Sequence, residues 1–255
     1  MHSTHSYDGK LSLRELKDFL LERDISFACM SEHTDEMTEA GAETFVAECR
    51  ALSDESFVFV PGFEVPYRRS HMLQYGSEVF RGQFADEEML QQWSAEASLT
   101  VLAHPIRNRF VVDPTMEELI EGVEIWNQQY DGKQVPRTRA ATLLRELRSA
   151  NPTLLAAGGI DFHRSEHFGA PWVELELESL SEAAVLSKLG AGEYVFGTDT
   201  LQIEGRGDWR PRLGEHAVSV ASIAIINWGK FVNKVLFSLG LSLPTTWKQW
   251  IRRFV

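Results

Sequence analysis

Six times along this chain a histidine or a carboxylate borders a short apolar run: His2 with Asp8, Glu32-His33, Glu64, His71, His104 and Asp161-x-His163. A short apolar run between turn residues reads as a buried strand. When such strands lie parallel, their carboxyl ends converge on one face, where barrel active sites are built. The five histidines, with Asp8, Glu64 and Asp161, brought to one face supply the donors of a polynuclear metal site.

The remaining pattern alternates strand with helix, which predicts an α/β fold with parallel strands. Ser12-Leu13-Arg14-Glu15 is a capping box that opens a helix ending near Arg23. Ile25–Met30 predicts a strand running into Glu32-His33, and 42–52 a helix. Phe57–Val60 predicts a strand ending at Pro61-Gly62-Phe63-Glu64, with a short strand at 72–75 after His71. Residues 85–97 read as a helix with acids in its first turn, as the helix dipole prefers. Leu99–Ala103 predicts the strand that delivers His104, and 116–120 a short helix. Further strands are expected at 123–126, 153–157, 172–177 and 194–197, and helices at 137–150 and 181–189.

With 255 residues, the chain suits one barrel-sized domain over about 1–205, followed by a tail over 206–255. A formal charge of -12 argues against long nucleic acid as partner. No secretory leader is read at the start, and no apolar run is read as long enough to span a bilayer. Cys29 and Cys49 have no zinc spacing and read as free thiols in a reducing, cytoplasmic setting.

Imidazole and carboxylate ligands suit manganese, zinc or iron. Several ions held together need a bridging carboxylate between them and open positions for water. The ordered set H-S-T-H-S-Y-D-G, S-E-H-T-D, P-G-F-E, H-M-L, A-H-P and G-I-D-F-H resembles the polymerase-and-histidinol-phosphatase (PHP) superfamily over about residues 1–200. That resemblance implies a distorted (β/α)7 barrel of TIM type. It implies two to three divalent ions and hydrolysis of a phosphomonoester or phosphodiester by a hydroxide held between metals. By the same resemblance His2, Glu64 and Asp161 hold one ion. Glu64 bridges to a second ion held by His71 and His104, and Asp8, His33 and His163 hold a third. Substrate would be a small phosphorylated metabolite, a nucleotide or an oligonucleotide end. Arg107 and Arg164 are the leading candidates to orient the phosphate beside Glu64 and Asp161; Arg68, Arg69 and Arg109 lie near the same loops.

The family's first motif is a strand ending in His-x-His, whereas here only its second histidine, His2, is present. The first strand is therefore expected to be missing, with two strand edges exposed. The reading favoured for this is a chain that starts late. His5 is read as a loop residue. Two other functions stay open: an amidohydrolase-type metallohydrolase, and a non-catalytic metal-binding or interaction domain. The tail is basic, with eight Lys or Arg against Asp208 and Glu215. Residues 216–240 predict a strongly apolar helix lacking a clean polar face. It would either pack on the barrel or a second copy, or make peripheral contact with an anionic membrane through 216–255.

Overall fold

The structure is a computed structural model and describes residues 1–238. Its elements follow the alternation of the sequence. Helix α1 (Leu13–Leu21) starts at the capping box, where Ser12 and Glu15 bond each other's backbone N–H, and buries Leu13, Leu16 and Leu20. Strand β1 (Phe27–Cys29) and the short β2 (Glu32–His33) follow, then α2 (Glu39–Leu52). Strands β3 (Val58–Val60), β4 (Gly62–Tyr67) and β5 (Ser70–Tyr75) come next, and α3 (Glu87–Glu96) is capped by Asp86. Then come β6 (Leu99–Ala103), α4 (Pro114–Leu119), β7 (Gly122–Asn127), α5 (Gln128–Asp131), α6 (Thr138–Arg148) and β8 (Leu155–Gly159). Strand β9 (Trp172–Glu174), α7 (Glu182–Ala191), β10 (Val195–Thr198), β11 (Leu201–Glu204) and α8 (Leu213–Ser238) complete the described chain.

A mixed six-stranded sheet has the order β2-β4-β5-β6-β7-β8. The pair β1-β3 is parallel, and β9, β10 and β11 form an antiparallel sheet of their own. The expectation of parallel strands throughout is corrected here, since β5 runs antiparallel to both β4 and β6. After β4 the chain does not cross over through a helix. It reverses at Arg68, whose φ of 53° makes a tight turn, and returns at once as β5.

A closed barrel is not formed among the described residues: β1 pairs only with β3, and β8 only with β7. Between these two strands lies a cavity of about 880 Å³, lined in part by Phe27, Cys29, Gly158, Ile160 and Val173. Met1 and His2 cross one end of the gap. The Met1 ammonium donates to the Cys29 carbonyl at 2.9 Å, Ser31 N–H donates to Met1 O at 2.8 Å, and His2 N–H donates to Phe162 O at 2.8 Å. Those bonds put His2 between the end of β1 and the loop that follows β8.

Two apolar clusters hold the sheet. One joins Val101, Leu102, Val123, Ile125, Trp126 and Leu155 to α4, α6 and α7. The other joins α1 and α2 to Phe57, Phe59, Phe63, Trp93 and Phe162. Burial at about 25 cal/mol per Å² of apolar surface makes such clusters the main stabilising term. They flank the sheet and leave the strand ends near His2 free for polar groups.

Candidate metal centre

Each candidate ligand is delivered by a specific backbone device. His33 ends β2, whose parallel register sets it beside Glu64 of β4. Glu64 lies inside β4, past Val60, where the predicted strand ends in the sequence. In the β4–β5 ladder Glu64 faces Leu73, and Pro66 faces His71. Side chains two apart share a face of a strand, so His71 and Glu64 emerge on the same side. His71 in turn pairs with Ala103, and His104 is the next residue. His104 and Asp161 both have positive φ, 24° and 49°. A non-glycine residue in this region costs on the order of 1–3 kcal/mol and clusters at functional sites.

The loop from Ser3 to Gly9 is pinned by Glu32, which accepts from Ser3 N–H at 2.8 Å and from the Ser6 hydroxyl. Ser6 Oγ accepts from His33 N–H at 2.9 Å. The turn is so tight that a Cβ on Gly9 would lie 1.8 Å from the Ser3 carbonyl oxygen, which only glycine permits. Asp8 is thereby held against the centre, with Oδ2 at 3.1 Å from His163 Nε2 and Oδ1 at 3.7 Å from His33 Nε2.

Three overlapping triads result, each with its donor atoms within 4.8 Å of one another: His2, Glu64 and Asp161; Glu64, His71 and His104; and His2, His33 and His163. The first two are the sets expected. In the third, His2 joins His33 and His163, with Asp8 bordering both. Glu64 is the hub. Its Oε2 is 3.4 Å from His2 Nε2 and 3.9 Å from His33 Nδ1, while Oε1 contacts His71 Nδ1 and is 3.4 Å from His104 Nε2. His2 Nε2 is also 3.3 Å from Asp161 Oδ1. The rings stack, His2 on His33 at 4.3 Å and on His163 at 4.2 Å.

Burial raises the energy of every charge here, so the pairings decide who carries it. Against burial, contacts with Asp161 and Glu64 raise His2 to about 9. Glu64 is held well below the usual carboxylate range, because His2 and His71 outweigh its burial. Asp161 is lowered by His2 in the same way, also against burial. Burial and then the His2 charge lower His33 and His163. A cluster of five imidazoles around ionised carboxylates fits divalent cations. Among the described residues, the buried atoms His104 Nε2 and Asp8 Oδ1 have no hydrogen-bond partner, although both lie at the centre. Unsatisfied buried polar atoms are costly unless something binds them. The donor set and these two orphaned atoms together fit a metal cluster.

Groups around the triads were not singled out from the sequence. Glu124 is buried in β7; its Oε2 accepts from His104 N–H at 2.6 Å, and both its oxygens accept from Asn127 Nδ2 at 3.1 Å. The signal was present, since an acid inside the apolar run V-E-I-W is a charge that must be paired. A Cβ on Gly159 would meet Glu124 Oε1 at 3.0 Å, so that glycine leaves room for it. Tyr130 stacks on His104 at 5.3 Å, and Tyr7 on His33 at 5.2 Å.

The arginines divide. Arg107 Nη1 is 3.5 Å from His71 Nδ1, at the edge of the centre. Arg164 is exposed and makes no ion pair among the described residues, so nothing ties it to the cluster. Arg68 instead pairs with Asp113. His5 is engaged elsewhere, 2.9 Å from Glu48 Oε2, and Cys29 and Cys49 are unpaired thiols.

No family model matches the chain, and no curated protein does. Among solved structures, PsfC from Pseudomonas syringae PB-5123 is similar over 67% of this chain and 77% of its own, at 13% identity and a TM-score of 0.47. A likeness that distant carries neither fold nor function across to this chain.

Proposed function

We propose that this chain is a metal-dependent phosphoester hydrolase, built on an opened version of the (β/α)7 barrel that its motifs resemble. One observation carries the reading. Residues selected from separate motifs between His2 and His163 meet in three triads that share Glu64 and His2. Chance placement of seven ligand-type residues has no reason to converge in that way.

In this reading His2, Glu64 and Asp161 hold one ion, and Glu64 is shared with a second held by His71 and His104. Asp8, His33 and His163 hold a third, with His2 at its border. Manganese, zinc or iron suits the donors. When bound, divalent ions acidify water and neutralise charge on a phosphoryl group. The protein's own part is orientation. Glu124 fixes the backbone of His104, Tyr130 and Tyr7 cover ring faces of two ligands, and Arg107 offers a guanidinium fork to phosphate oxygens. The substrate is a small phosphomonoester or phosphodiester, because a chain of charge -12 repels long polyanions. We assign it to the cytoplasm, where Cys29 and Cys49 stay reduced.

The open gap between β1 and β8 favours one competitor, a metal-binding domain without turnover. Hydrolysis of a generic aryl phosphate by the metal-loaded chain separates the two. Turnover that is lost in Glu64→Gln supports the enzyme, whereas metal binding without turnover on any phosphoester supports the binder.

A further inference from the structure

Helix α8 leaves an apolar stripe exposed. At about 3.6 residues per turn, Ala217, Ala221, Ala224, Trp228, Phe231 and Val235 fall along one side of it. That side is exposed, with Trp228 at 51% and Phe231 at 65%. The opposite side carries Ser219, Ser222, Ile226 and Lys230 and faces the protein; the first three are buried. His216 Nδ1 lies 3.1 Å from Thr138 Oγ1, and the Lys230 ammonium lies 4.9 Å from the centre of the Tyr130 ring. A helix that packs for its own hydrophobic gain does the opposite and buries its apolar stripe. The buried strip is short and mixed, Ser219, Ser222 and Ile226, while Asn227, Lys230, Asn233 and Lys234 are exposed, so no clean polar face is turned to the body. The expectation that no apolar run could span a bilayer is corrected, since Leu213–Ser238 is long and apolar enough by length and composition.

We infer that α8 docks the protein flat onto an anionic lipid bilayer, with the Trp228–Phe231–Val235 side in the acyl boundary. Charge chooses this occupant over a second copy. Glu215 is the last acid of the chain, and besides Lys230, which faces the body, Lys234, Lys248, Arg252 and Arg253 follow it. A second copy would set this basic segment against its own like charge, while a basic segment beside an exposed aromatic stripe is drawn locally to anionic headgroups. Residues 239–255 add Trp247, Trp250 and Phe254 to the same composition. The helix lies on the surface and does not cross it, because crossing would strip Ser219, Ser222 and Lys230 from the body. Through Lys230 and Tyr130, which stacks on His104, the docked helix also sets the mouth of the ligand cluster beside the lipid surface.

The test is flotation of the full chain with vesicles of phosphatidylglycerol and phosphatidylcholine, against pure phosphatidylcholine, with size-exclusion light scattering alongside. It is read with and without chelator, so its outcome stands apart from the metal reading. The expected result is flotation with anionic vesicles only, reduced at least ten-fold in Trp228→Glu/Phe231→Glu while the melting temperature is unchanged. Protein left at the bottom with anionic vesicles overturns the inference, as does equal flotation of the double variant. A dimer that the double variant dissociates, with no vesicle binding, overturns it in favour of a second copy.

Discussion

Glu124→Gln perturbs the centre without touching a ligand. Glu124 uses both carboxylate oxygens as acceptors, toward His104 N–H at 2.6 Å and toward Asn127 Nδ2. Its Oε2 is also 3.6 Å from His104 Nδ1. Glutamine keeps the shape but turns one acceptor into a donor. One contact then becomes donor against donor, and the negative charge behind the imidazole is gone. Partners of this kind orient metal-bound histidines and raise their basicity, and losing one typically costs about 10–100-fold in metal affinity. That is about 1.4–2.8 kcal/mol. The effect falls on the Glu64, His71 and His104 triad alone. Titration of the stripped protein against a chromogenic chelator is expected to show one equivalent weakened by this factor, with the others unchanged. An unaltered titration curve from a folded Glu124→Gln protein would refute the orienting role, and uniform weakening of every equivalent would refute its restriction to one triad.

Arg107→Ala is expected to lower kcat/KM on an aryl phosphate by about ten-fold or more, as loss of one charged donor does, with metal content unchanged by elemental analysis. Burial pushes the Asp131 carboxyl up to about 6, despite Arg137 and the Asn127 N–H. Between about pH 4, where an unfolded aspartate ionises, and about pH 6, the folded group keeps its proton. Stability therefore falls as pH rises through that window, by up to about 3 kcal/mol, and levels off above it. Urea denaturation in chelator is expected to show that decline as the difference between the parent and Asp131→Asn, since the lowered Glu64 and Asp161 add the same rising contribution to both. Trp93 is fully buried, packs on Phe63 and donates to Ser77 Oγ at 2.9 Å, so Trp93→Ala is expected to cost about 3–5 kcal/mol in the same assay.

Where periodicity and chemistry agree locally, the sequence was a good guide. The capping box at Ser12 and the strand Leu99–Ala103 before His104 are both found as read. The candidate cluster was legible because histidines are few in the chain and most of those chosen border a strand-like run. The β4–β5 hairpin was not legible. Pro61-Gly62 looks like a turn, yet Gly62 runs through the sheet so close to its neighbours that a Cβ would sit 2.7 Å from Met30 O and 2.8 Å from Gln74 O. That crowding comes from tertiary pairing and leaves no local trace. Strand β11 was missed because Gln202 and Glu204 face solvent, so its apolar signal is halved. Closure is a property of strands distant in sequence, and here β1 and β8 stay apart.

The central claim is that these histidines and carboxylates hold metal. Elemental mass spectrometry of the full chain, loaded with Mn, Zn or Fe and then desalted, tests it most directly. Two to three equivalents per chain are predicted, falling by at least one in Glu64→Gln, since Glu64 belongs to two of the triads. Less than half an equivalent with every metal, from protein that remains folded, would contradict the account.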